Sequence, residues 1–152
     1  MISEEIASFL ASGLSLNVAT ASRALEPHGT RAFAAFVEDD RAHVVVFVHA
    51  SAAPELLGDL AENPRIALTF GRPADHRTAQ LKGAFVGSRD AAEGDRAELD
   101  RQTEAFIRSL EGIGIARAAA EGWTAWPAVA LRFRATELWE QTPGPGAGER
   151  LG

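Results

Sequence analysis

Most of the strand-like runs in this chain follow one another with too little sequence between them for a helix. That order constrains the fold more than any other feature. "TRAFAAFV" (30–37) reaches "HVVVFVH" (43–49) through the polar turn "EDDR", the pattern of an antiparallel hairpin. Leu16, Val18 and Thr20 alternate on one side of an earlier strand, and "EPHG" (26–29) supplies turn chemistry after it. "RIALTF" (65–70) and "HRTAQLKGAFVG" (76–87) form a second close pair around a Gly-Arg-Pro loop. A last strand sets Val129, Leu131 and Phe133 against Arg132 and Arg134 on its other face. Six strands in this order favour a mainly antiparallel barrel or an α+β sheet.

Three helices interrupt them. Ser3 caps a short amphipathic helix carrying Ile6, Phe9 and Leu10, which Gly13 ends. "SAAPELLGDLAEN" has Ser51 as N-cap, Pro54 in its first turn, a stripe of Leu56, Leu57 and Leu60, and Asn63-Pro64 as its stop. Lying between two strands, it also admits a right-handed parallel crossover. The longest helix, Glu93 to Leu110, aligns Leu99, Thr103, Phe106 and Leu110, and "GIGIARAAAEGW" continues as a short helix or loop. The tail 141–152, "QTPGPGAGERLG", is too rich in proline and glycine for helix or ladder. With 46% apolar residues the chain of 152 can fill one core, so 1–152 reads as a single domain.

Composition removes several chemistries. The absence of cysteine excludes disulfides, thiol nucleophiles and thiolate metal sites, so redox chemistry requires a cofactor. A net charge of −6 opposes general nucleic-acid binding, which needs clustered cations. No leader pattern or long apolar run is present, so a cytoplasmic protein without membrane contact is expected. His43 and His49 share a strand but not a chelating spacing, and no metal site is expected. A nucleophile elbow is lacking, and the glycines of "GIGIARAAAEG" do not follow a strand in a βαβ unit. Two features stay open. The row Thr78, Gln80 and Lys82 is either a solvated strand face or the edge of a ligand site, and Ser51 either caps its helix or opens an anion site with small Ala52 and Ala53 behind it.

Taken in order, "TRAFAAF", "VVVFVHASAAPELLGDLAENPRIALTF", "HRTAQLKG" and "ATELWEQTPGPGAGERL" resemble the pyridoxamine 5'-phosphate oxidase-like family of FMN-binding split barrels, over nearly the whole chain. The resemblance implies a six-stranded antiparallel split β-barrel with flanking helices, a homodimer, and FMN at the dimer interface. Carried over by position, Arg31 matches the arginine that reaches the flavin phosphate, and His49, Ala50 and Ser51 match the phosphate-binding turn. Arg77 and Thr78 match the polar pair whose second member contacts the flavin. Gln80 and Lys82 edge the site, and the tail crosses to the other subunit with Trp139 and Gln141 nearest the ring. One departure stands out: Pro54, Glu55 and Leu56 occupy the helix start where better-characterised oxidases carry Ser-Arg-Lys. The implied activity is an FMN-dependent oxidoreductase with a small-molecule substrate and NAD(P)H as candidate donor. A non-catalytic flavin or haem binder, a deazaflavin (F420)-dependent reductase and a cofactor-free structural dimer are the alternatives.

Overall fold

The computed structural model describes residues 1–152. Six strands, β1 (Ser15–Ala21), β2 (Pro27–Val37), β3 (His43–His49), β4 (Arg65–Gly71), β5 (Thr78–Asp90) and β6 (Ala128–Glu140), close into a barrel in the order β1-β2-β3-β6-β5-β4. Every pairing is antiparallel. Helix α1 (Glu4–Leu10) precedes the barrel, α2 (Ala53–Glu62) joins β3 to β4, and α3 (Arg96–Gly112) joins β5 to β6. Three antiparallel pairings separate β3 from β4 around the ring, so the two strands run in opposite directions and the parallel-crossover alternative for α2 is excluded.

Strand alternation builds the interior. Leu16, Val18, Val44, Val46, Leu68 and Phe133 are among the side chains packed inside, each worth roughly 1.5–3 kcal/mol for full burial. The two short helices act as plugs. Ile6, Phe9 and Leu10 of α1 join this core where β1 begins, and Ala53, Leu56 and Leu60 of α2 join it where β1 ends. Ser3 accepts a hydrogen bond from Ile6 N–H at 3.3 Å, as a capping residue should. Asn63 ends α2 and ties it down, donating to Ala21 O at 3.1 Å.

A smaller apolar cluster lies outside the barrel. There α3 sets Leu99 on Ala34, Val45, Phe47, Ala128 and Ala130. Gln102, 1% exposed, joins them: its amide accepts from Ala35 N–H at 3.1 Å and donates to Ala35 O at 3.0 Å. It supplies the partner that β1, which pairs with β2 only as far as Leu16–Ala32, does not reach. Gly83 lets β5 and β6 approach, since a Cβ there would overlap the carbonyl of Arg134. The strand register shifts at the same point, between Lys82 and Gly83.

Four expectations need correction. "EPHG" is not the turn: Pro27 already opens β2 opposite Ala21, a position that tolerates a missing N–H, and the reversal lies at 22–26 with Leu25 at φ 64°. Ser51 does not cap α2; Ala52 is the N-cap with no side-chain bond, because the Ser51 hydroxyl is taken by His49. Gln102, not Thr103, is the polar residue that α3 buries fully. The tail does enter the ladder. Its prolines and every glycine but the last lie in the turn at 143–148, after which Glu149, Leu151 and Gly152 hydrogen-bond along β6 to Glu140 and Leu138. The tail of this chain thus folds onto its own β6. No helix is long and apolar enough to cross a membrane.

Candidate functional site

Register brings together residues that are far apart in sequence. Arg31 pairs with Asn17, Asn17 with Thr69, Thr69 with Gln80, and Gln80 with Trp139, giving one outward-facing row across five strands. Beside it runs a row of small residues, Gly29, Ala19 and Ala67, which ends at Lys82 and Glu137. No helix covers β1, β4 and β5 from outside. An open cleft of ≈ 460 Å³ lies here, bordered by Ala19, Ala21, Ala67, Lys82, Gly83 and Thr136.

The candidate residues separate into two clusters. On the β5–β6 side, Gln80 donates to Thr69 Oγ1 at 2.8 Å, and Lys82 Nζ stands 4.9 Å from the centre of the Trp139 ring. Trp139 is anchored by its indole N–H to Glu137 at 2.9 Å. Lys82 has no carboxylate partner within ion-pair distance, so its charge stays available. Thr78 and Gln141 close the cluster, with Gln141 N–H donating to Thr78 O at 2.9 Å and Thr78 N–H to Thr142 Oγ1 at 3.0 Å.

The second cluster sits at the corner between β3 and α2. One step beyond the Ala32–Val48 pair, Arg31 and His49 fall on neighbouring strands and share the outer face. Ser51 N–H donates to His49 Nδ1 at 3.2 Å, and the Ser51 hydroxyl lies 2.8 Å from the same nitrogen. With Nδ1 accepting, the ring N–H is at Nε2. Ala50 N–H is fixed by Pro127 O at 2.8 Å, which sets the corner. Since α2 begins without a side-chain cap, its first N–H groups are not satisfied from within the chain by capping.

Arg77 joins neither cluster. It binds Glu5 of α1 at 2.5 Å and lies 4.4 Å over the Phe9 ring, fastening the helix to the barrel. Arg31 is also engaged, but not by a carboxylate. Its guanidinium lies 4.5 Å from the Phe106 ring centre and 4.1 Å from that of Trp123, and burial lowers its pKa from the ordinary arginine value.

Two further groupings of titratable side chains have plain structural work. Asp59 on α2 accepts from Thr20 at 2.6 Å and His28 at 2.8 Å, while Glu55 stands 3.4 Å from His28 Nε2. These bonds hold the Asp59 carboxyl below its ordinary range, and Asp59 raises His28. Glu38, Asp40 and His43 also converge at the β2–β3 hairpin. There Glu38 receives both Arg132 bonds at 2.9 and 2.7 Å, and Asp40 caps Ala42 and His43 N–H while holding the His43 ring.

Sequence reading missed Asn17 and Thr69, whose places in the row depend on register, and missed the aromatic pair on Arg31. Only the alternation of Asn17 with Leu16 and Val18 offered a signal.

The closed six-stranded barrel with its long, shared β5–β6 pair is the split-barrel fold of the pyridoxamine 5'-phosphate oxidase-like proteins. Solved structures with this fold match at a sequence identity that carries fold alone. HupZ from Group A Streptococcus superposes with a TM-score of 0.55 at 17% identity, covering 97% of this chain and 100% of that one. A candidate pyridoxamine 5'-phosphate oxidase from Lactobacillus delbrueckii gives 0.55 at 12%, covering 91% and 93%. An FMN-binding protein from Syntrophomonas wolfei gives 0.51 at 12%, covering 87% and 80%. No family model and no curated protein matches the chain.

Proposed function

We propose that this protein binds FMN at the interface of a homodimer and works as an oxidoreductase. The observation that carries the reading is the separation of the two clusters. In the strand order β1-β2-β3-β6-β5-β4, Arg31 on β2 and Gln80 and Lys82 on β5 stand on opposite sides of the barrel. One ligand can meet both kinds of residue only where two copies of the chain adjoin. The bare face of small residues gives a second barrel room to approach. The fold shared with an FMN-binding protein adds support.

In this reading Arg31, His49 and the uncapped N–H groups of α2 hold the phosphate of one subunit's FMN. Gln80, Lys82 and Trp139 of the other copy meet the ring, Trp139 as a wall and Lys82 as a charge. The flavin, once bound, supplies hydride or single-electron transfer, and NAD(P)H is the candidate donor. The chain's own part is to bind, orient and shield, and no side chain need serve as acid or base. Pro54, Glu55 and Leu56 leave the helix start without cations, and each missing charge-assisted bond is worth about 1.5–3 kcal/mol. FMN therefore depends on Arg31 more heavily than in the better-characterised oxidases.

Light scattering and an FMN titration followed by flavin fluorescence test this. A dimer that binds one FMN per chain is expected, and Arg31→Ala should weaken binding about 10- to 100-fold, from about 1.5–3 kcal/mol for the lost bonds. A dimer that ignores FMN but takes up haem or F420 would replace the cofactor. A monomer would remove the shared site. Bound FMN that NADH and NADPH fail to reduce would reassign the protein as a flavin binder.

A further inference from the structure

Arginines in this protein ordinarily face carboxylates. Arg72, Arg89, Arg101, Arg117 and Arg132 each make at least one such pair, and each directs N–H groups into it. Arg23, Arg65, Arg134 and Arg150 lack one but are exposed to water. Arg31 alone is half-buried with no acidic partner and no side-chain hydrogen bond within the chain. Its company is aromatic. Phe106 on α3 and Trp123 on the loop before β6 stack with ring centres 6.0 Å apart and planes within 13° of parallel. Phe106 is 6% exposed and so is held firmly, whereas Trp123 is 37% exposed at the rim, just after Gly122 with its φ of 83°.

Aromatic rings attract a guanidinium through its flat face, while the five N–H donors point outward in its plane. A carboxylate would use up those donors and neutralise the charge. Two rings restrain the group and leave its donors unspent.

We infer that Phe106 and Trp123 are positioning residues for Arg31: they hold its guanidinium by contact with the rings and present its N–H edge to an anionic ligand on the outer face of β2. The inference rests on the reading of Arg31 as an anion contact, and it assigns to the α3–β6 connection a part in binding that its own sequence does not show. An arginine held in place loses less conformational freedom when it binds, so loss of the clamp weakens the ligand even though neither ring need touch it.

Trp123→Leu removes the rim ring at a position exposed enough to leave the core in place, and Trp123→Phe restores an aromatic face. The direct readout is the Arg31 Nε–H resonance, titrated with inorganic phosphate. In the wild type it should be displaced upfield by the rings and should move with phosphate. In Trp123→Leu the displacement should shrink and the phosphate response weaken about three- to tenfold, as expected for loss of one cation–π contact, with recovery in Trp123→Phe. The second readout is FMN affinity in Trp123→Leu, Arg31→Ala and the double variant. The clamp predicts that Trp123→Leu weakens FMN in the wild-type background and has no further effect once Arg31 is gone. A purely structural role for Trp123 would weaken both backgrounds alike and would overturn the inference. So would an Arg31 resonance that answers phosphate equally in the wild type and Trp123→Leu, or not at all in either. If FMN does not bind the wild type but phosphate still moves Arg31 through Trp123, the cofactor assignment fails and the clamp stands.

Discussion

The outer surface of the barrel has two halves built on opposite terms. On β2, β3 and β6 the outward residues are Ala34, Val45, Phe47, Ala128 and Ala130, and α3 covers them with Leu99, making a second core. On β1, β4 and β5 the same outward positions hold Asn17, Ala19, Ala67, Thr69, Gln80 and Lys82, and no helix lies over them. Both halves share one interior and one ladder, so backbone geometry does not explain the difference. Side-chain size and polarity do. A strand face bearing Phe47 must be covered from within the chain, whereas a face of alanine and hydrogen-bonded polar groups tolerates water and also leaves an open place for another surface.

Substitutions on the two halves should therefore act on different quantities. Phe47→Ala, at 1% exposure on the covered half, should cost about 3–5 kcal/mol and lower the urea midpoint accordingly. A loss below about 1 kcal/mol would mean that α3 can close over the gap. Ala67→Glu on the bare half should leave the single barrel folded, as surface substitutions usually cost within about 0.5 kcal/mol. It should instead shift the mass in light scattering from dimer to monomer. An unchanged dimer would place the interface on some other surface, and the two halves would differ only in their covering.

The smallest effect is expected at the seam where α2 meets β1 and β2. Asp59 raises the His28 pKa, so the bond contributes fully below the ordinary histidine value of 6.5 and is lost as the pH rises through the raised value. Asp59 is lowered, chiefly by Thr20, so its contribution is present above its unfolded range and disappears in acid. His28→Gln should accordingly be less stable than wild type near neutral and mildly acidic pH, with the gap narrowing in alkali and again in strong acid. Thermal midpoints across that range measure it, and a gap independent of pH would show that the His28 charge has no part.

Period-two alternation made the strand faces readable. Val129, Leu131 and Phe133 turn inward and Arg132 and Arg134 outward, as their spacing requires. The order of the strands and the motif spacing carried the barrel itself. What the sequence withheld is what register and long-range packing create. Thr69 is an ordinary polar strand residue until the ladder sets it between Asn17 and Gln80. Ser51 is a good N-cap by type, but His49 two residues earlier competes for its hydroxyl and wins. The tail misled for a related reason: proline and glycine forbid a ladder only where they stand, and here they form the turn that returns Glu149 and Leu151 to β6. Arg31 and Trp123 are far apart in the chain, and no local pattern announces that they meet.

The departure of β5 from β4 near Gly83 also bears on self-association. Pairing with β4 ends at Ala84, and Phe85 N–H still reaches Pro64 O at 2.8 Å, but from Val86 to Asp90 the strand keeps β6 on one side and no strand on the other. In a ring of strands that otherwise leaves few backbone groups unmatched, this is the stretch most open to strand addition by a stray chain. It is poorly suited to that use: Arg89 and Asp90 charge it, a bulge at Val86 breaks its register, and Val86 alone offers a large exposed apolar side chain. Protection against unwanted sheet growth is thus written into the five residues where the barrel comes apart.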